Sequence, residues 1–529
     1  MPVRQFFLAL TTALLILGLK VTPATAATPA ADAPARVIAP LVSGDEPIVV
    51  TEHTIKTAHG LLRYEARTGR LPIRVDQTGE VHGYIFFVAY VVKDRGANRP
   101  LTIAWNGGPT VPSIFLHAEA LGPRLITKDG FVDNPDTPLE KTDLVFYDAI
   151  ETGFSRLAKP EFAQEFFNNR GDFAATAEFV RAYRARFDAE TQPLFMLGES
   201  YGGFRVAAVG DILAKRGVNV SGLIIVSGGF AGVNPPFNFQ DAMQVPQRTA
   251  TAFYYKRLPP ELMRDHDATL KQATDWATNV YWPALDAVAT LTDAQKTAIV
   301  DQLAIYTGVR ADQIDHKTMI LHLKDYLAGF FDKDPKKELS YLDTRKRTTG
   351  EPVDPMRPLY ISRYLRGELA YRTDLGYSNP IGRIVDTNPA YLALEQGYMP
   401  TPGPEYKGSG AQWARDDTPK GEEGWSTAEA TLEVKYVDVL NPHWLEDSLD
   451  RLPHMRIFVP MGRFDVSNMC AGQAQMGRFL KPEQANRVVS KCYEGGHMLY
   501  EDGPARAEFL HDISNFIADT VAEQRKPAQ

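Results

Sequence analysis

The sequence predicts an α/β fold, with a mainly parallel central sheet, helices on both faces and a large, mostly helical insertion. Three observations carry that expectation. Short apolar runs recur along the chain, each ending in a polar or glycine-rich loop, and helical patterns separate several of them. Strands alternating with helices imply a parallel sheet covered on both sides. The alternation is interrupted over residues 234–452, and the 529 residues, 44% hydrophobic and 23% charged, suffice for a large core plus an insertion.

Taken in order, Arg4 and the apolar run Phe6–Leu19, followed by Ala24-Thr25-Ala26, suit a signal peptide over residues 1–26 and are short for a membrane span. The Ala/Pro-rich stretch 27–46 reads as a linker. Export to the periplasm or beyond is expected, with no membrane attachment once the leader is removed. Residues 47–94 alternate in β fashion between Gly and Pro punctuation, as an antiparallel edge would. Strand-like runs follow at Leu101–Trp105, Leu144–Tyr147, Pro193–Leu197, Leu223–Val226, Ile457–Val459 and Val488–Tyr493. Helical patterns lie at Asp172–Phe187, Phe204–Lys215, Ala471–Leu480 and Pro504–Val521. The core therefore splits into residues 47–233 and 453–529. Residues 234–452 form an inserted cap with helical patterns at Pro260–Leu285, Thr292–Tyr306 and His316–Phe330.

Several partners are disfavoured. A net charge of −8 argues against nucleic acid. The stretch DKDPKKELSYLD puts lysines where a calcium loop needs a ligand and a glycine. No cysteine–histidine cluster suggests a metal, and no cofactor is expected. The oligomeric state stays open, since neither a heptad nor an exposed strand stands out in the sequence.

Chemistry concentrates where the run Pro193–Leu197 meets the helical pattern after it. Gly198-Glu199-Ser200-Tyr201-Gly202 is a G-x-S-x-G pentapeptide in strand–turn–helix context, the setting of a nucleophile elbow. A serine needs a base, and the base needs an orienting carboxylate. Asp465 follows the strand-like MRIFVP, and His497 lies in a glycine-rich loop after RVVSKCY. The chain order Ser200, Asp465, His497 is that of an α/β-hydrolase. His443, His454 and His511 are weaker alternatives by position. Oxyanion donors are expected from the Tyr201 backbone N–H and from the loop Asn106-Gly107-Gly108-Pro109, which follows a strand. Cys470 and Cys492 are either a disulfide, suited to an exported chain, or two buried thiols.

Together these motifs resemble the serine carboxypeptidase family, exported α/β-hydrolases acting on peptides. WNGGPT is similar to the family's W-x-N-G-G-P-G loop, although Trp105 directly precedes the Asn. GESYGG resembles G-E-S-Y-A-G, and FYDAIETGFS is similar to the family's D-x-P-x-G-x-G-F-S turn. GRFDVSN and GGHMLY match the Asp and His regions. The resemblance implies Ser200 as nucleophile, His497 as base, Asp465 as its orienter, and Gly108 and Tyr201 as oxyanion donors. It implies that Asn106, Gly107 and Glu199 hold the substrate's terminal carboxylate at acid pH. The family's second glutamate stands just before L-G-P; here Ala120 is at that place and Glu119 one residue earlier. The acid pair is then either incomplete or completed by Glu119 from a shifted backbone. Thr110 and Val111 stand where the family commonly has Gly and Cys.

The leading expectation is an exported serine carboxypeptidase acting on peptides without a metal. An esterase or acyltransferase using the same three residues is the alternative, and a silent binding protein on the same scaffold is a third reading. Tyr254, Tyr255, Trp276 and Trp282 are aromatic candidates for a pocket wall, or simple core.

Overall fold

The computed structural model describes residues 35–93, 96, 99–109, 111–127, 130–167, 169–331, 338–347, 357–379, 383–384 and 443–526. The expected signal peptide, residues 1–26, and the charge-rich stretch 403–425 lie outside them.

The β-rich start forms an antiparallel meander of β1 (Arg36–Ile38), β2 (Ile48–Thr57), β3 (Gly60–Arg74) and β4 (Val81–Val92). Next come β5 (Leu101–Trp105), a small hairpin of β6 (Arg124–Thr127) and β7 (Gly130–Asp133), then β8 (Asp143–Tyr147) and the two-residue β9 (Arg156–Leu157). They are followed by β10 (Leu194–Glu199), β11 (Val220–Val226), the short pair β12 (Ser378–Asn379) and β13 (Arg383–Ile384), β14 (Arg456–Gly462) and β15 (Val488–Tyr493). The main sheet runs β1-β2-β3-β4-β8-β5-β10-β11-β14-β15, with β9 paired to β4. Every pairing from β8 through to β15 is parallel. This is the α/β-hydrolase arrangement that the sequence predicts.

The central strands are apolar at nearly every position because both faces are covered. Leu194, Met196, Leu223, Ile225, Ile457 and Val459 enter one core cluster, while Phe195, Leu197, Ile224, Val226 and Phe458 enter the other. After α1 (Ala163–Phe166), helices α2 (Asn169–Arg186) and α3 (Tyr201–Lys215) pack on the first face. The C-terminal helix Gly503–Gln524 packs Phe509, Ile513, Phe516 and Ile517 on the second.

Between β11 and β14 lie α4 (Phe237–Tyr254), α5 (His266–Trp276), α6 (Trp282–Asp286), α7 (Asp293–Thr307) and α8 (Leu323–Gly329). The expected helix from Thr292 is α7, opened by a capping box between Thr292 and Gln295. Others differ. The run from Pro260 starts only at His266, where Asp265 caps Ala268 N at 2.9 Å, and a π turn at Ala277–Tyr281 separates α5 from α6. The run from His316 yields only α8, because the Asp315 carboxylate takes the Lys317 N–H at 2.8 Å and folds that stretch into a turn. Ala471–Leu480 splits into Cys470–Gln473 and a 3-10 turn at Met476–Phe479. Helix α4 escapes sequence reading because Pro246 lies inside it.

Candidate active site

Apolar β10 ends at Glu199 and α3 begins at Tyr201, so Ser200 alone makes the turn. Its backbone takes φ 60°, ψ −129°, a conformation costing a non-glycine residue of order 1–3 kcal/mol. Two bonds hold it there: Ser200 N donates to Val226 O at 2.9 Å, and Gly203 N donates to Ser200 O at 2.8 Å. The register pairs Gly198 with Trp105, so the loop after β5 leaves the sheet beside the turn. A Cβ on Gly107 would lie 2.6 Å from Glu199 O and 2.7 Å from Tyr201 N, so only glycine permits this approach. Trp105 Nε1 donates to Gly202 O at 3.0 Å. Gly108 adopts φ 108°, also glycine's territory.

Asp465 and His497 leave the same sheet edge from β14 and β15. Arg463 N and Phe464 N donate to Tyr493 O and Gly495 O at 2.8 and 2.9 Å, lacing the two loops together. His497 Nδ1 lies 2.7 Å from Asp465 Oδ2. The fully buried carboxylate also accepts from Ser467 N (3.0 Å), Ser467 Oγ (2.5 Å) and Asn468 Nδ2 (2.9 Å). Gln247 on α4 donates to the Asp465 and Asn468 carbonyls. Burial pushes the His497 pKa down, but the Asp465 charge and hydrogen bond, helped by Glu199, hold it above its ordinary value. Ser227 Oγ donates to His497 O at 2.8 Å, and His497 N to Leu342 O at 2.6 Å. Among the described residues, Ser200 Oγ is not hydrogen-bonded to His497; such contacts often close only with substrate in place.

Beside Ser200 lies a buried cluster around the Glu199 carboxyl. Burial raises the Glu199 carboxyl to about 7, against the lowering pull of His497 and of the Tyr500 hydrogen bond; Glu501 and Asp465 add to the rise. Tyr500 OH donates to Glu199 Oε2 at 2.5 Å and is also hydrogen-bonded to the Asn106 side chain. Asn106 Oδ1 accepts from Leu116 N at 3.0 Å. That contact leads into a π turn at Leu116–Leu121, which spreads one extra residue over its span. Within this turn Ala120 is buried in the core, and the Glu119 charge acts on Tyr500.

Sequence reading did not single out Tyr500, Ser467, Asn468, Ser227 or Gln247. Tyr500 stands three positions after His497, within the GGHMLY motif, and Ser467 and Asn468 stand within GRFDVSN. A buried carboxylate's need for several donors was the available signal. Cys470 and Cys492 form a disulfide with Cα atoms 5.9 Å apart, tying the segment after Asp465 to β15. Of the four aromatic candidates, Trp276 stacks on Tyr281 and Trp282 meets Phe239 edge-on, as core. Tyr255 donates to Arg345 O at 2.9 Å, and exposed Tyr254 meets Phe464, the neighbour of Asp465, at 5.8 Å. His443 sits 3.1 Å from Glu446 instead, and His511 lies exposed on the C-terminal helix. Among the described residues no cluster of His, Cys, Asp or Glu is arranged to hold a metal ion.

Comparison with known proteins bears on this site. The chain is 30% identical over 166 residues to a pheromone-processing carboxypeptidase KEX1 of Tuber melanosporum, covering 30% of this chain and 26% of that protein. It is 28% identical over 154 residues to serine carboxypeptidase-like 36 of Arabidopsis thaliana, covering 27% and 30% respectively. The matched stretches thus span less than a third of these relatives. A crystal structure of Kex1(delta)p from Saccharomyces cerevisiae aligns with a TM-score of 0.45 at 16% identity, over 85% of this chain and 91% of that one. Residues 64–368 match the serine carboxypeptidase family. That match takes in Asn106, Gly107, Gly108, Glu119, Glu199, Ser200 and Tyr201; Asp465 and His497 lie beyond it. With more than half its length matched, the chain belongs to the serine carboxypeptidase family.

Proposed function

We propose that the protein is an exported serine carboxypeptidase that removes C-terminal residues from peptides through an acyl-enzyme on Ser200. The observation carrying this reading is the buried cluster next to the strained serine, in which Tyr500 is hydrogen-bonded to Glu199 and Asn106 and feels the Glu119 charge. A carboxyl near neutrality when protonated donates a hydrogen bond to a substrate carboxylate, whereas an ionised one repels it. The Asn106 amide, the Gly107 backbone and Glu199 would hold the terminal carboxylate, with Glu119 supplying the family's second acid from its π turn. Ser200 attacks the last peptide carbonyl and passes its proton to His497, which Asp465 orients. The N–H groups of Gly108 and Tyr201 receive the oxyanion. His497 then protonates the leaving amine and later activates the water that frees the acyl group. Helices α4–α8 are read as a cap over this edge, and the leader-like residues 1–26 as the export signal, in keeping with the disulfide.

Paired peptides differing only in a C-terminal acid or amide test the reading. Charge-assisted hydrogen bonds contribute about 1.5–3 kcal/mol. Cleavage of the acid form is therefore expected to exceed that of the amide by roughly 10–100-fold in kcat/KM. Equal cleavage of both forms contradicts the terminal-carboxylate clamp, and ester turnover without trimming selects the esterase reading.

The pH dependence follows from Glu199. Its neutral form predominates below about pH 7, so KM for a peptide acid is expected to climb as pH rises through that value. In Glu199→Gln, which stays neutral, KM between pH 6 and 8.5 is expected to be flat and within a few-fold of the wild-type acid-limb value. Stopped assays of KM against pH check both curves, and a persisting rise in the variant assigns the titration elsewhere.

A further inference from the structure

Arg205 lies on α3, the helix that Ser200 begins, and its side chain is only 1% exposed. Nε donates to Asp172 Oδ2 on α2 at 2.7 Å. One terminal nitrogen donates to Asn106 O at 3.0 Å and the other to Pro109 O at 2.9 Å. Those two carbonyls bracket Gly107-Gly108, so one planar fork grips both ends of the loop that approaches the serine turn. The guanidinium also sits 5.3 Å from the centre of the Tyr201 ring, whose hydroxyl donates to Asn169 Oδ1 on α2 at 2.6 Å. A charge this deep is tolerated only when paired and hydrogen-bonded, and here its partners are Asp172 and the loop itself.

We propose that Arg205 is a positioning residue for the reaction: by clamping the Asn106–Pro109 loop to α3 it sets the spacing between the Gly108 and Tyr201 N–H groups. The inference rests on the reading of Ser200 and of those two groups given above. When Ser200 attacks, an Oγ–C bond forms, the carbonyl π pair moves onto oxygen and the serine proton passes to His497. The new oxyanion needs donors at about 2.7–3.1 Å, and a misplacement of about 1 Å costs roughly 100-fold in rate. Arg205 would thus act most on the transition state, and less on carboxylate binding, since Asn106 and Gly107 ride on the same loop.

Arg205→Lys keeps the charge beside Asp172 but loses the planar fork. Its kcat on a peptide acid is expected to fall roughly 100-fold, with a smaller rise in KM from the displaced Asn106 and Gly107. The inhibition constant of a peptidyl trifluoromethyl ketone, which forms an oxyanion on the serine, should rise in proportion to the fall in kcat/KM, while that of an uncleaved product peptide should rise only as far as KM does. If this variant does not fold, the uncharged pair Arg205→Met with Asp172→Leu supplies the same readouts from a replacement of similar volume. Unchanged kcat in a folded variant overturns the proposal, and so does a fall in kcat without the matching loss of ketone affinity. Ser200→Ala serves as the separate control. If it keeps wild-type turnover, the carboxypeptidase reading itself fails, whatever Arg205 does.

Discussion

Ser200→Ala is expected to reduce kcat by about 10⁶-fold and to abolish labelling by a fluorophosphonate probe, with little change in thermal stability. The expectation follows from the role proposed for Ser200. Removing a nucleophile removes the acyl-enzyme route altogether, so the remaining members of the constellation have nothing to activate. What remains is binding and oxyanion stabilisation, which together leave roughly 10³–10⁴-fold over water in comparable enzymes. Stability should hold because Ser200 is half-buried at the sheet edge and the turn is kept by backbone bonds to Val226 and Gly203. Release of C-terminal residues, followed by mass spectrometry beside a melting curve, measures both. Wild-type trimming by the variant would remove Ser200 from the mechanism.

Asp465→Asn is expected to lower kcat by about 10⁴-fold with KM for a peptide acid little changed. The carboxylate is an acceptor surrounded by donors: His497 Nδ1, Ser467 N and Oγ, and Asn468 Nδ2. An amide brings a donor pair into that ring, so one of its N–H bonds must face another donor. Where it faces Nδ1, the imidazole carries its proton on the opposite nitrogen and cannot take one from Ser200. The variant also removes the charge that holds the His497 pKa up. That pKa is therefore expected to fall, moving the acid limb of kcat/KM to lower pH in whatever activity remains. A pH–rate profile reads the shift, and an unmoved limb would detach Asp465 from His497.

Much of the architecture was legible because it depends on local patterns. The runs at 101–105, 193–197 and 223–226 read as strands, since both faces of the sheet are covered and nearly every position is apolar. Glycine and serine spacing marked the turn at Ser200, where backbone crowding admits few residue types. The helices of the insertion were less legible. Pro246 hid α4, and the Asp315 carboxylate folded the start of the run from His316 into a turn. There, tertiary packing and a side-chain bond to the backbone outweighed periodicity.

The sequence by itself determined the α/β order of elements, the strained serine between strand and helix, and the chain positions of Asp465 and His497 at strand ends. Each is a property of a few consecutive residues. Only the tertiary structure decided which distant groups share an environment. It bonded His497 to Asp465, joined Tyr500 to Glu199 and Asn106, brought the Glu119 charge to bear on Tyr500, and closed the fork of Arg205 on the carbonyls of Asn106 and Pro109. Those outcomes depend on burial and on distances between segments far apart in the chain. Desolvation and charge pairing depend on where side chains meet in space, and composition and spacing do not encode that meeting.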